Sequence, residues 1–476
     1  MGTRFTTGLL FAVLIVGQPA GAGLAQPLDA RLDAYVGAYR VPPHGTMSLS
    51  RFEHGGRVIH LFTDFSDGWR GVVEPGRGDT LRIVPHEGPA PEARPRIVLG
   101  EDTTGRRTVS LHLEDRPTRV GRKLALRVEP VTFSSGALEL AGEIVLSGET
   151  GGRPGVVFVH GSGPATRNDY REWSWYFAAN DVATLIYDKR GAGDSEGDWR
   201  EAKFPDLARD AIAAVRRLRA HPGVDPGRVG LSGGSQGAWV APIAARMDEE
   251  IRFLVPTGGG PITPAEQEIY RRARVVQDAG HPAETVDVSR EVVTLYFDYL
   301  GSGGEDEELA ARVSEAWRRY GAEEWFPLLD LPASDPTVEE WPEGRRRFAE
   351  ELFFDPAPSV RAISLPTLAI LAGEDQGFPT RRTAAAWRNL VDPEWLELWI
   401  IPGVDHGFWV TGDPARGRHQ SPRIFEGLLA WIHRTVGGPP PLPRLRISRP
   451  LEGAFAECSP AAPAVAPRSP GPPSRR

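Results

Sequence analysis

The chain has 476 residues, a formal net charge of −8 and 25% charged side chains, enough length for two or three folded units around a sizeable core. The acidic balance argues against a nucleic-acid partner, which would call for a basic domain or stripe, and fits a neutral or amphipathic small substrate. The single cysteine, Cys458, excludes an intrachain disulfide, and without a Cys/His cluster or an H-E-x-x-H spacing no metal is implied; no other cofactor is expected either.

Residues 1–25 place Arg4 ahead of the apolar run Leu9 to Val16 and end in the small residues Gly23-Leu24-Ala25. This is the architecture of a signal peptide, cleaved after Ala25 or after Ala22, with an N-terminal membrane anchor as the rival reading. It implies an exported protein, periplasmic or secreted, with no stable membrane insertion once the signal is removed. Export without disulfides leaves the fold to its core alone.

From 28 to 130 short β-like runs alternate with turn signals: Thr46 to Phe52, Val58 to Phe62, Trp69 to Val73, Leu81 to Val84, Arg96 to Leu99, Val109 to Leu113 and Lys123 to Val128. This spacing predicts a small antiparallel barrel or sandwich. Its histidines (His44, His54, His60, His86, His112) are scattered and carry no catalytic pattern.

From 131 to 435 strands alternate with helices, the pattern of a mostly parallel sheet covered on both faces. Val156 to Val159 and Ala183 to Tyr187 are continuous apolar runs. Phe204, Leu207, Ala208, Ala211, Val215 and Leu218 recur at helical spacing. Further strands are expected at Ile251 to Val255, Pro366 to Ala372 and Leu396 to Ile401, and a closing helix at 422–434. A charged, helix-patterned stretch at 257–364 interrupts the series and reads as a helical cap. Its aromatic residues, Trp317, Trp325, Phe326, Trp341, Phe348, Phe353 and Phe354, either line an acyl pocket or form the cap's own core. The proline-rich segment 437–476 reads as a disordered tail.

The chemistry centres on Gly233-Gly234-Ser235-Gln236-Gly237, a serine between glycines directly after a short apolar strand. In a chain with 54 glycines such a match is weak alone, but a strand-to-helix turn here would push the serine hydroxyl out toward substrate. A serine nucleophile needs a base oriented by an acid. His406, in Gly403-Val404-Asp405-His406-Gly407, follows the last strand, and Asp375, in Gly373-Glu374-Asp375, follows the strand before it. Glu374 and Asp405 are the rival orienting acids. Backbone N–H groups of Gln236 and of Ser162, in His160-Gly161-Ser162-Gly163, are the candidate oxyanion donors. His160 reads as a structural ligand of that loop.

Together, Phe158 to Pro164, Tyr187-Asp188-Lys189-Arg190-Gly191-Ala192-Gly193-Asp194-Ser195, the serine pentapeptide, Gly373-Glu374-Asp375 and Asp405-His406-Gly407-Phe408 resemble an α/β-hydrolase over about residues 131 to 435. Within that superfamily the chain is similar to bacterial capped esterases related to dienelactone hydrolases and to prolyl oligopeptidase catalytic domains. The resemblance implies an α/β-hydrolase fold, a Ser235–His406–Asp375 triad, and an Asp188/Arg190 loop that braces the oxyanion loop. Gly234 departs from the pattern, since many relatives carry a larger side chain there. The expected function is a serine hydrolase acting on a small ester. The rivals are an exported peptidase acting on short peptides, for which about 100 residues leave no room for a large β-propeller, and a non-catalytic binding protein on the same scaffold.

Overall fold

A computed structural model describes residues 30–43, 45–54, 57–76, 80–84, 95–114, 116–148, 151–338, 343–410 and 419–437. The segment read as an export signal, and the tail with Cys458 from 438 on, lie outside these residues, as do His44, His86 and Trp341.

After a short helix, α1 (Ala30–Tyr35), eight strands close into an antiparallel barrel: β1 (Gly37–Val41), β2 (Gly45–His54), β3 (Arg57–Asp64), β4 (Arg70–Pro75), β5 (Thr80–Val84), β6 (Arg96–Glu101), β7 (Arg107–Leu113) and β8 (Arg116–Lys123). Each pairs with the next, and β8 returns to β1 with Lys123 opposite Tyr39. Of barrel and sandwich, the continuous pairing selects the barrel. The period-two pattern works as strands require: Met47 and Leu49 enter the barrel core with Tyr39, Phe62, Ile97 and Val109. Ser50, on the opposite face, points out to the neighbouring helix.

The expected strand at 123–128 is divided. Leu124 donates its N–H to the Ala38 carbonyl at 2.8 Å and ends the barrel. β9 (Leu126–Ser135) then pairs along its length with β10 (Leu138–Ser147) in a second sheet. That sheet continues through β11 (Arg153–Val159), β12 (Ala183–Tyr187), β13 (Val224–Gly234), β14 (Leu254–Thr257), β15 (Thr367–Ala372) and β16 (Leu396–Ile401). Its strand order is β16-β15-β14-β13-β11-β12-β10-β9, with the β9–β10 and β10–β12 pairs antiparallel and every other pair parallel, so that β10 alone runs against the rest.

Helices α2 (Arg171–Ala179), α3 (Phe204–Arg219) and α4 (Gly237–Met247) connect the first strands. Between β14 and β15 lie α5 (Pro264–Asp278), α6 (Ala283–Gly301), α7 (Glu307–Tyr320), α8 (Glu343–Leu352) and α9 (Ala357–Arg361). After β15 come α10 (Thr380–Leu390), the small hairpin β17 (Trp409–Val410) and β18 (His419–Gln420), and α11 (Pro422–Thr435). Alternate residues of β11 feed opposite cores. Val157 and Val159 pack with α3, α4 and α10, and Val156 and Phe158 pack with α2 and α11. Each fully buried side chain of this kind contributes about 1.5–3 kcal/mol, which is why both faces must be apolar.

The aromatic residues between β14 and β15 mostly pack on one another. Trp317, Trp325 and Phe326 are buried in a cluster with Tyr296 and Phe297, and Phe348 lies against it. Phe354 instead reaches the main core through Phe204, ring centroids 4.8 Å apart, and Phe353 is exposed. Of the two readings for these residues, the helices' own core accounts for most of them.

Candidate active site

β13 ends at Gly234, Ser235 takes φ +52°, and α4 begins at Gly237. A left-handed conformation costs a non-glycine residue about 1–2 kcal/mol, offset here by the bond from the Ser235 N–H to the Thr257 carbonyl at 2.9 Å. The two outer glycines are fixed by close approach. A Cβ on Gly233 would sit 2.2 Å from the Gly237 carbonyl oxygen, and one on Gly237 would sit 2.5 Å from that of Val159. Gly234 is less constrained: its Cβ would meet the Tyr170 hydroxyl at 3.2 Å and Thr257 Oγ1 at 3.5 Å. The Tyr170 side chain thus borders the space that a larger residue at this position would take.

Asp375 and His406 meet across the ends of β15 and β16. The imidazole Nδ1 lies 2.9 Å from Asp375 Oδ1 and 3.0 Å from Oδ2. Oδ1 also accepts the N–H groups of Gly377, at 2.7 Å, and Phe378, at 2.8 Å, which lock the carboxylate. The imidazole stacks on the Phe378 ring at 5.7 Å and 6°. Its Cε1 lies against Gly258, where a Cβ would be 3.5 Å away. Gly258 follows the residue whose carbonyl holds Ser235, so the imidazole stands beside the elbow. Burial disfavours the imidazolium, but the Asp375 charge and hydrogen bond, helped by Asp405, outweigh it and raise the His406 pKa above its ordinary value.

The rival acids are placed otherwise. Glu374 is exposed. Asp405 Oδ1 accepts the N–H groups of Gly407 and Trp409, both at 3.0 Å.

Gly161 approaches the elbow closely, a Cβ there falling 3.5 Å from Ser235 Cβ, so the loop of Ser162 lies over the serine. Among the described residues neither the Ser162 nor the Gln236 backbone N–H is taken by a protein acceptor. His160 is buried, and desolvation, with the nearby Lys189 charge, pushes its pKa down to about 3. Its Nε2 lies 2.6 Å from the Tyr187 carbonyl, which can only accept. The ring is therefore the neutral Nε2–H tautomer, tying the loop to β12. Asp188 accepts from the Arg167 N–H (2.8 Å), from its guanidinium (2.6 Å) and from the Asp194 N–H (2.9 Å). Arg190 forks onto Asp210 with two bonds of 2.7 Å. The Asp188 contacts brace the segment that follows Ser162, and those of Arg190 tie the Asp188–Arg190 loop to α3.

Several contributors carried no signal in the sequence. Helix α5 reaches the acid loop, Tyr270 Oη donating to the Asp375 carbonyl and Gln267 Nε2 to that of Gly377, each at 2.9 Å. The barrel reaches the histidine loop. The Arg70 guanidinium lies 4.9 Å over the Trp409 ring and donates to Glu172 at 3.0 Å, while Ser50 and Thr63 bond the same carboxylate at 2.7 and 3.0 Å. Lys189 is also buried beside the serine.

The sequence profile of the alpha/beta hydrolase family matches residues 156–417, just over half of the chain. The protein belongs to that family, and its class is that of a hydrolase. Thiohydrolase aneE of Aspergillus aculeatus is 35% identical over 120 residues, 25% of this chain and 37% of its own length. Thiohydrolase apmlB of Arthrinium phaeospermum is 26% identical over 243 residues, 51% of this chain and 78% of its own length. Among solved structures, the alpha/beta hydrolase GrgF from Penicillium sp. sh18 is 20% identical, covering 66% of this chain and all of its own, at a TM-score of 0.43. A thermophilic esterase from Thermogutta terrifontis is 21% identical, covering 65% of this chain and 99% of its own, at 0.39.

Proposed function

We propose that the protein is a serine hydrolase that cleaves carboxylic esters through an acyl-enzyme. The observation that carries this reading is the juxtaposition of a strained Ser235 with an imidazole whose Nδ1 is engaged by Asp375. With Nδ1–H given to the carboxylate, the lone pair is left on Nε2, on the opposite edge of the ring. Ser235 Oγ attacks the ester carbonyl carbon while its proton passes to Nε2. The oxygen that becomes negative is received by the Gln236 and Ser162 N–H groups. Collapse breaks the bond to the leaving alkoxide, which takes the proton from Nε2. Water then repeats the sequence, giving its proton to Nε2, and frees the acid and Ser235.

A thioester donor uses the same steps with a thiolate leaving group, and relatives named thiohydrolases place thioesters on the substrate panel. The test is Ser235→Ala. Turnover of p-nitrophenyl and thioester substrates and labelling by a fluorophosphonate should both vanish; persistent labelling overturns the assignment. The composition of residues 1–25 supports export, checked by fractionation and by the N-terminal sequence of the mature protein.

A further inference from the structure

Lys189 follows β12 in the loop that the Asp188 and Arg190 contacts brace, and it is almost fully buried. Its ammonium donates to the Gly161 carbonyl at 2.9 Å and to Gln236 Oε1 at 2.7 Å. We propose that Lys189 is a positioning residue of the oxyanion hole, a single buried cation that fixes both N–H donors. The inference rests on the acyl-enzyme reading above.

The Gly161 carbonyl and the Ser162 N–H belong to one planar, trans peptide unit, so oxygen and hydrogen point in opposite directions. A cation pulling on the oxygen sets the tilt of that plane and aims the N–H away from Lys189. The same pull polarises the unit and makes the N–H a stronger donor. The second bond anchors the side chain of Gln236, whose own N–H is the other donor. Both donors are thereby referred to one atom, and the distance between them is held while charge develops on the substrate.

A merely structural role would not need the charge. Holding an ammonium in a buried site is costly, and desolvation lowers its pKa to about 8. Among the described residues no carboxylate forms a direct ion pair with Lys189, whose hydrogen-bonding partners are neutral amide oxygens. The largest compensating charge is Glu351 of α8, with Asp210 of α3 acting in the same sense. Gln236 Nε2 faces Glu351 Oε1 at 3.4 Å, and burial raises the Glu351 pKa while the Lys189 charge opposes that rise. Helix α8 is fastened to the body by Lys203–Glu350, at 2.6 Å, and by Arg347 on the Arg200 carbonyl, at 3.1 Å. The tie therefore runs from the inserted helices through Glu351, Gln236 and Lys189 to Gly161.

Lys189→Met removes the charge and keeps the length. Gln236→Met keeps the backbone N–H but removes the side-chain acceptor, and it serves if the lysine variant folds poorly. Removing one oxyanion donor outright costs about 10²–10³ in kcat; loosening two should cost about 10–100-fold. For p-nitrophenyl esters, kcat should fall by that factor in each variant with KM within about twofold. Affinity for phenylboronic acid, which forms a tetrahedral anion on the serine, should fall in parallel with kcat. The double variant should lose no more than the worse single one, because both cut the same tie. Wild-type kcat with unchanged boronate affinity in both variants, or a change confined to KM, overturns the proposal. Turnover that survives Ser235→Ala in the parent protein overturns the acyl-enzyme reading, and this inference with it.

Discussion

Asp375→Asn separates the orienting acid from its rivals, Glu374 and Asp405. At 2.9 Å and an effective dielectric of about 20, the carboxylate stabilises the imidazolium by roughly 6 kcal/mol before the opposing cost of burial. Burial is the largest single influence on His406 and acts downward, yet the net shift is upward, so removing the charge leaves an imidazole below its ordinary pKa. The Gly377 and Phe378 N–H groups hold Oδ1, so the new amide NH2 takes the place of Oδ2, 3.0 Å from Nδ1. It offers a donor where the ring needs an acceptor. The Nε2–H tautomer is favoured, and the lone pair that accepts the serine proton is lost. The expected fall in kcat is about 10³–10⁴, equivalent to about 4–5.5 kcal/mol. The general base works in its neutral form, so activity falls as pH drops through the His406 pKa, which lies above the ordinary histidine value. In the variant that acidic limb moves to lower pH. Stability shifts with the opposite sense: the raised pKa stabilises the fold fully below the unfolded histidine value and loses this effect as pH rises through the folded one. The assay is the pH profile of kcat/KM on p-nitrophenyl butyrate for Asp375→Asn, Asp405→Asn and Glu374→Gln side by side. An Asp375→Asn enzyme within tenfold of the parent with its acidic limb unmoved, beside a dead Asp405→Asn enzyme, would refute this assignment.

Three substitutions test how the elbow and the histidine loop are supported. Gly237→Ala drives a Cβ to 2.5 Å from a backbone carbonyl that cannot swing away; it should cost about 3 kcal/mol or prevent folding, read by thermal melting, whereas Gly234→Ala should stay within a few-fold of parental activity. Arg70→Ala leaves the buried Glu172 carboxylate with two hydroxyl partners and uncovers Trp409. It should lower stability by about 1–3 kcal/mol and reduce kcat several-fold, and an unchanged melting midpoint with full activity would show that the barrel does not support the site.

What the sequence discloses here depends on how local each cause is. β11, β12 and β15 are legible because a strand covered on both faces must be apolar at every position, and all three are buried throughout. The elbow is legible because Gly233 and Gly237 answer a backbone approach within the pentapeptide and the adjacent strand. The end of the barrel is not legible in the same way. Residues 123–128 look like one strand, and only the bond from Leu124 to Ala38, 86 residues earlier, decides where the chain changes sheets. Lys189 sits inside a recognisable loop, yet nothing in its neighbours says that the ammonium turns inward to Gly161 and Gln236. The same holds for Arg70, Tyr270 and Glu351, which come from the barrel and the inserted helices. Their side chains have ordinary surface chemistry and acquire a role only when distant segments dock. The pattern is a physical one: the reacting groups ride on the ends of a regular sheet, whereas the groups that hold them come from elements whose packing no local period encodes. A search for further positioning residues should therefore start from contacts between the barrel, the inserted helices and the loops after β11, β15 and β16, where Arg70 on Trp409 and Tyr270 on the Asp375 carbonyl already lie.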